Sequence, residues 1–327
     1  MKKTLAAILI LIMALCGCAS EDVKNTESIV TESTLTVTPT LTLDSDLTSG
    51  DKVVTDMAGR DVMIPQKIAS VIPMNPGDAE ILYAIGAGEM IAARGEYVNY
   101  PEKVMDKISV GTGANTSVEQ LIALEPQVII MDTMAQTSEQ VDMLTNAGIA
   151  VVITDADTIE EVYEAIALLG KVTGKESEAD ALTTDMKASF SDVRNSAEDR
   201  TADGMAERSV YFEVSPLEWG LWTAGGNTFM DEIATMCGLV NAFGNVDGWG
   251  ELSEEQVISR NPDYIVTISM GYEGYDPVEE IRDRNGWQDI SAVKENHVIN
   301  LSSDELSRPG PRLADAASAL YDYVKGE

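Results

Sequence analysis

Four aromatic residues and one arginine have the chemistry to hold a ligand. Tyr97, Trp219, Trp222 and Trp249 fall where expected strands run into loops, and Arg308 opens the stiff stretch Ser307-Arg-Pro-Gly-Pro-Arg312. Tryptophan and tyrosine combine a large contact face with one polar handle. Trp249 stands between Gly248 and Gly250, which give it no packing wall, so a ligand is its expected neighbour. Arg308, held ahead of two prolines, either points into that ligand site or caps loop carbonyls. This set can bind, but nothing accompanies it that could catalyse. The motifs His-Glu-x-x-His, Gly-x-Ser-x-Gly and Gly-x-x-x-x-Gly-Lys do not occur. The single histidine, His297, reads as a surface or edge residue at a strand entrance, and one histidine cannot build a three-histidine metal site. No enzyme activity and no metal site of the chain's own are expected.

A second pair of residues stands out by repetition. The pattern Ser-x-Glu-Gln-apolar-Ile-x-x-x-Pro-x-x-Ile-apolar occurs at Ser117–Ile130 and again at Ser253–Val266, an offset of 253 − 117 = 136 residues. Each copy predicts the same local structure. Ser117 or Ser253 caps a helix, and Gln120 or Gln256 completes a capping box three residues on. Pro126 or Pro262 stops that helix, and a β-branched run then forms a buried strand. Glu119 and Glu255 hold the same place in the two copies, near a helix N-terminus where an acid gains ~0.3–1 kcal/mol. A weaker echo pairs Glu80–Gly86 with Glu232–Gly238. The offset is too long for a solenoid and points to two similar lobes with a cleft between them.

The elements that place these residues follow from punctuation and period. Val53–Asp56 and Arg60–Pro65 flank Met57-Ala-Gly59 as an opening hairpin. Strands are expected at 70–72, 90–93 and 150–154, with a helix at 78–85 closed by Gly86. Thr158-Ile-Glu-Glu161 starts another helix, running to Gly170. From Glu176 to Asn195 there is no glycine or proline, and Ala179, Leu182, Met186, Phe190 and Val193 recur at helical spacing. That segment predicts one long helix between the lobes and a stiff hinge, with only slight change of shape on binding. Alternating strands and helices argue a parallel sheet in each lobe, and such sheets bind ligands at the carboxyl ends of their strands. The expected organisation is a leader at 1–17, a tether at 18–50, an N-terminal lobe at 51–172, the interlobe helix at 173–200 and a C-terminal lobe at 201–327.

The leader has Lys2 and Lys3 before an apolar run from Leu5 to Leu15, too short to span a membrane and suited to a signal peptide. Its end, Leu15-Cys16-Gly17-Cys18, resembles a bacterial lipobox, which implies cleavage before Cys18 and a lipid on its sulfur. The Thr- and Ser-rich stretch that follows has no aromatic residue and reads as a disordered tether. Cys237 then has no internal partner and reads as a buried apolar residue. With 22 basic against 55 acidic residues the formal charge is −33, so nucleic acid is not an expected partner. A monomer is expected.

Thr55-Asp-Met-Ala-Gly-Arg60 with Val62–Pro65, the two Glu-Gln repeats and the Ser307–Arg312 end together resemble the iron-siderophore/cobalamin class of ABC-transporter substrate-binding lipoproteins, over roughly residues 51–325. The resemblance implies an α/β fold of two Rossmann-like lobes with parallel sheets joined by one long α-helix. It implies a shallow cleft lined by aromatics and arginines, and a glutamate on each lobe that docks onto arginines of a dimeric permease with its ATPase. By position Glu119 and Glu255 match the docking glutamates. Trp249 matches a cleft tryptophan of cobalamin and hydroxamate binders, and Tyr97 and Trp222 match aromatic positions of the cobalamin binders. Gly113 stands where those carry an aromatic. The implied ligand is a metal chelate and not a resident cofactor: a ferric siderophore first, a corrinoid (cobamide) second, and haem third with Met74, Tyr97 or Tyr272 as axial ligand. The implied location is the extracytoplasmic face of the cell membrane. The reading from another class is a non-transport surface sensor or an extracellular enzyme on the same fold. Changing Cys18→Ser should leave the protein uncleaved or released and the folded part intact; membrane fractionation with labelled-lipid incorporation checks this, and a variant that stays lipid-labelled contradicts it.

Overall fold

Two β-strands, β1 (Asp51–Thr55) and β2 (Asp61–Pro65), form the expected antiparallel hairpin. Its turn is fixed by Asp56, a buried carboxylate that accepts from the amide and guanidinium of Arg60 and from the amide of Ile153. The computed structural model describes residues 50–133, 137–202, 207–269, 275–301 and 303–326. The leader, Cys18 and nearly all of the tether lie outside the described residues, as does Tyr272.

The first lobe follows as β3 (Val71–Pro73), α1 (Pro76–Ala84), β4 (Ala93–Gly95), β5 (Ile108–Val110), α2 (Val118–Ala123), β6 (Val128–Met131), α3 (Ser138–Asn146) and β7 (Ala150–Ile153). Strands β3, β6 and β7 make a parallel sheet in that order, with a parallel pair β4–β5 beside it. Then α4 (Ile159–Thr173) begins on a capping box of Thr158 and Glu161 and ends at Gly174, whose φ of +71° suits glycine. It turns directly into α5 (Glu176–Ala202), the long interlobe helix. The helix exceeds the expected span because 196–202 contains neither glycine nor proline to stop it.

The second lobe runs β8 (Arg208–Glu213), β9 (Leu221–Ala224), α6 (Phe229–Met236), β10 (Leu239–Asn241), β11 (Trp249–Leu252), α7 (Glu254–Arg260), β12 (Tyr264–Thr267), α8 (Pro277–Asp283), α9 (Ser291–Lys294), β13 (Val298–Asn300), α10 (Ser303–Leu306) and α11 (Leu313–Lys325). Strands β10, β8, β12 and β13 are parallel, as expected for the lobe. An antiparallel pair, β9 and β11, extends this sheet. Sequence reading did not foresee it, because Trp222 and Trp249 sit among glycines and short apolar runs that look like loop.

Alternation along each buried strand decides which residues face which layer. On β6, Val128 and Ile130 enter one core while Ile129 and Met131 enter another. On β8, Val210 and Phe212 face the first core and Tyr211 a third. That first core is continuous through both lobes. It runs from Val54 and Ile81 through Ile166 on α4 and Phe190 on α5 to Ile233 and Leu320. The stiffness assigned to one helix therefore rests on a shared hydrophobic layer as well.

The duplication survives in the backbone. Glu125 and Asn261, 136 residues apart, both take φ +48° just before the proline that ends each short helix. The capping box is complete only in the second copy, where the Ser253 amide donates to Gln256. In the first, Ser117 still accepts from the Gln120 amide, while its hydroxyl turns to Glu119. Two further residues can be compared with expectation. Cys237 is buried as expected. His297 is not a surface or edge residue: it is buried, stacks on Tyr264 with ring centroids 4.9 Å apart, and places Nδ1 3.2 Å from the Asp263 carbonyl.

Polar contacts fix the lobes at two places. Glu80 on α1 accepts from Arg312 Nε at 2.9 Å and Nη2 at 2.6 Å, and Arg308 lies 3.4 Å from the same carboxylate. Beside it α1 meets the Pro309 carbonyl so closely that a Cβ on Gly77 would lie 2.5 Å from that oxygen. At the second place the Phe229 amide donates to the Asp157 carbonyl at 2.6 Å, and the Ile159 amide to Glu232 at 2.7 Å.

Candidate functional site

A cavity of about 1020 Å³ opens between these two fastenings. Its walls come from the carboxyl ends of the parallel strands: Asn75 after β3, Tyr97 after β4, Asp132 after β6, Thr154 after β7, Val214 after β8 and Ser269 after β12. This is the position the topology favours for a ligand. A shallower hollow of about 560 Å³ near Tyr275 and Val278 has no comparable aromatic wall, so the large cleft is the candidate site.

All five residues expected to meet a ligand line this one cavity: Tyr97, Trp219, Trp222, Trp249 and Arg308. Three of the rings are open to solvent, with 67% of Tyr97, 76% of Trp219 and 40% of Trp222 exposed. Trp219 lies in a short helical turn at Leu217–Trp219. Trp222 belongs to strand β9 and not to a loop, and strand alternation sends it outward while Leu221 and Thr223 point inward.

Trp249 is held more firmly than its two glycines suggested. It opens β11 opposite Ala224, meets Phe229 edge-on at 5.5 Å and donates from Nε1 to Asp157 at 2.8 Å. The glycines serve the hairpin instead. Gly248 adopts φ +65°, and a Cβ on Gly250 would lie 2.5 Å from Val246. Among the described residues Arg308 caps no loop carbonyl. Its guanidinium is engaged by Asp304 at 2.6 Å, Asn99 at 2.6 Å and Glu80.

Sequence reading missed the acids of the cleft. Asp78, Glu96, Asp132, Asp155, Asp157 and Asp304 all line it. The signal was available, since several of them follow β-strands just as the aromatics do. Each is oriented by a neighbour: Glu96 by the amide and hydroxyl of Thr112, Asp132 by Asn75, Asp155 by Thr133. Asp78 is buried, accepts from Thr154 at 2.8 Å, and has its carboxyl pushed up to about 7, by burial foremost and also by Asp132. Among the described residues no three His, Cys, Asp or Glu side chains are grouped to hold a metal ion, and no helix is long and apolar enough to cross a membrane.

The docking candidates lie elsewhere. Glu119 on α2 and Glu255 on α7 are both exposed at the second position of their helices.

Residues 71–305 match the family described as periplasmic binding protein. The chain belongs to that family. It is 31% identical over 272 residues to the uncharacterized ABC transporter substrate-binding lipoprotein YvrC of Bacillus subtilis, spanning 82% of this chain and 84% of that one. It is 27% identical over 262 residues to the vitamin B12-binding protein of Pectobacterium carotovorum, across 80% and 89% of the two chains. In structure it is similar to a possible iron-binding, periplasmic solute-binding protein of Staphylococcus epidermidis, with a TM-score of 0.65, 30% identity and 79% and 99% coverage. As a periplasmic binding protein the chain is the extracytoplasmic substrate-binding part of an ABC transporter, with a permease and an ATPase as partners and no enzymatic step of its own.

The raised carboxyl of Asp78 gives a sign for stability. The folded state holds this proton more tightly than the unfolded chain does, so the stability it contributes is full below about pH 4 and is lost as pH rises to about 7. Asp78→Asn keeps an acceptor for Thr154 and removes the titration. It should raise the unfolding free energy at pH 8, by up to about 4 kcal/mol, and leave it unchanged near pH 4. Urea denaturation at the two pH values checks this, and an equal effect at both contradicts it.

Proposed function

We propose that this chain is a lipid-anchored receptor that captures a metal chelate in the cleft and delivers it to its permease. The observation that carries the reading is the convergence of Tyr97, Trp219, Trp222, Trp249 and Arg308 on one cavity built from both lobes. A cavity of about 1020 Å³ stands at the top of the usual range for small-molecule sites, roughly 300–1,000 Å³, and suits a large ligand with flat faces. Ferric siderophores and cobamides both meet that description, and the B12-binding relative supports the second. Haem fits less well. Met74 is buried in the outer core of the first lobe and His297 stacks on Tyr264, which leaves Tyr97 on the cleft wall among the described candidates. The Leu15–Cys18 sequence and the lipoprotein name of the Bacillus subtilis relative support the anchor.

Delivery is assigned to Glu119 and Glu255. Three residues after each, on the same helix, comes an exposed isoleucine, Ile122 at 36% and Ile258 at 38%. The two lobes thus offer matched acid-and-apolar pairs, suited to a partner with two like subunits that presents a basic group to each. In vesicles holding the permease and its ATPase, Glu119→Ala or Glu255→Ala should each slow uptake, and the double variant should slow it further. Chelate affinity by calorimetry should hold in these variants, whereas Trp249→Ala should weaken it roughly ten- to hundredfold, about 1–3 kcal/mol. Normal uptake by the double variant contradicts the docking role, and unchanged affinity in folded Trp249→Ala removes that ring from the site.

A further inference from the structure

The charge of the cleft wall restricts the ligand more than its shape does. Glu96, Asp132, Asp155, Asp157 and Asp304, together with exposed Glu218, face it beside Asp78, which burial keeps partly protonated near neutral pH, and Arg308 is the one cation on it among the described residues. That cation is already matched, since Asp304 and Glu80 both pair with its guanidinium. The donors that orient the other acids, such as Thr112, Thr133, Asn75 and Trp249, are neutral and leave the negative charge in place. The segments 134–136, 203–206, 270–274 and 302 contain no lysine or arginine, so they have no cation to add. An anion entering this cleft meets repulsion from several carboxylates within a low-dielectric wall, on a chain of formal charge −33.

A second, independent observation marks a place on the wall that a ligand would fill. The hydroxyl of Ser269, on the cleft wall, is buried and makes no hydrogen bond among the described residues. Buried polar atoms without partners are rare in folded proteins, and this one stands where a ligand would complete it. The Ser269 hydroxyl can pair with a donor or an acceptor, while ionised carboxylates only accept, so the ligand that completes this acid-lined wall is chiefly a hydrogen-bond donor.

We infer that the chelate held by this cleft carries no net negative charge and presents N–H donors at its rim. The inference rests on the metal-chelate reading above. Amide-rimmed neutral chelates satisfy the carboxylates by hydrogen bonding, and cationic chelates add attraction to the acids and to the faces of Trp219 and Trp222. Chelates whose rim is anionic, such as tricatecholates or the propionate edge of haem, find no free cation here.

The test is calorimetry of the purified full chain at neutral pH against six probes. Cyanocobalamin and ferrichrome are neutral, cyanoaquocobinamide and ferrioxamine B are cationic, and ferric enterobactin and haemin are anionic. Within the corrinoid pair and within the hydroxamate pair, where a scaffold binds, its cation should bind at least as tightly as its neutral member. The anionic probes should bind about a hundredfold more weakly or not at all. Raising salt from about 50 to 500 mM should weaken the cationic probes about tenfold and the neutral ones little. Asp155→Asn combined with Glu218→Gln should lower the ratio of cationic to neutral affinity, a change that a purely structural role for these acids would not produce. An anionic probe binding within about tenfold of the best neutral one overturns the charge inference and leaves the chelate reading standing. No binding of any probe by a chain that is folded by circular dichroism overturns both.

Discussion

The geometry of the cleft depends on one buried carboxylate holding two arginines from the other lobe. Glu80 is 4% exposed, accepts two hydrogen bonds from Arg312 and lies beside Arg308. Arg312 in turn lies over the ring of Tyr100 at 4.1 Å. A paired, hydrogen-bonded group of this kind is costly to break, because removing one partner leaves a buried charge unmatched. The contact is also why Gly77 must be glycine, as α1 runs directly against Pro309 there. With Asp157 and Glu232 fixing the opposite side, the two sets of strand ends stand at a set separation, and the cavity is whatever lies between them.

This arrangement favours capture by a preformed site. When the walls are already in place, little ordering entropy is lost on binding and more of the contact energy appears as affinity. The continuous core from Val54 to Val324 means that opening the lobes would expose apolar surface, which adds to the resistance of α5. A rigid frame also serves delivery. Helices α2 and α7 carry Glu119 and Glu255 in backbone settings so alike that Glu125 and Asn261 share the same unusual φ, which is the likeness that the proposed docking to a two-fold partner needs.

Much of this was legible from residue order. The duplication announced two lobes, the uninterrupted run from Glu176 announced the interlobe helix, and the rule about strand ends picked out Tyr97, Trp219, Trp222 and Trp249, while Arg308 was picked out by the stiff prolines after it. What escaped was set by distant neighbours. Glu80 sits in a short helix buried along Gly77–Leu82, and its partners lie 228 and 232 residues away. Trp249 looked free because Gly248 and Gly250 flank it, yet Phe229 and Asp157 supply the wall those glycines lack. The acids of the cleft were hidden in a chain so acidic that single carboxylates carry no signal, although Asp132 and Asp155 follow their strands as regularly as Tyr97 does. Pairing across a sheet is likewise invisible locally, which is why the sequence of β9 and β11 reads as loop.

The central claim is that the two lobes hold the cleft open at one fixed spacing, with or without ligand. It is tested most directly by spin-label distance measurement between Asp142→Cys on α3 and Glu279→Cys on α8, both exposed positions, in the leaderless chain carrying Cys18→Ser with Cys237 left buried. The account predicts one narrow distance distribution in the free protein, shifted by no more than about 2 Å when chelate is bound. A broad distribution in the free protein, or a shift on the order of 10 Å on loading, would be hinge closure and would contradict it.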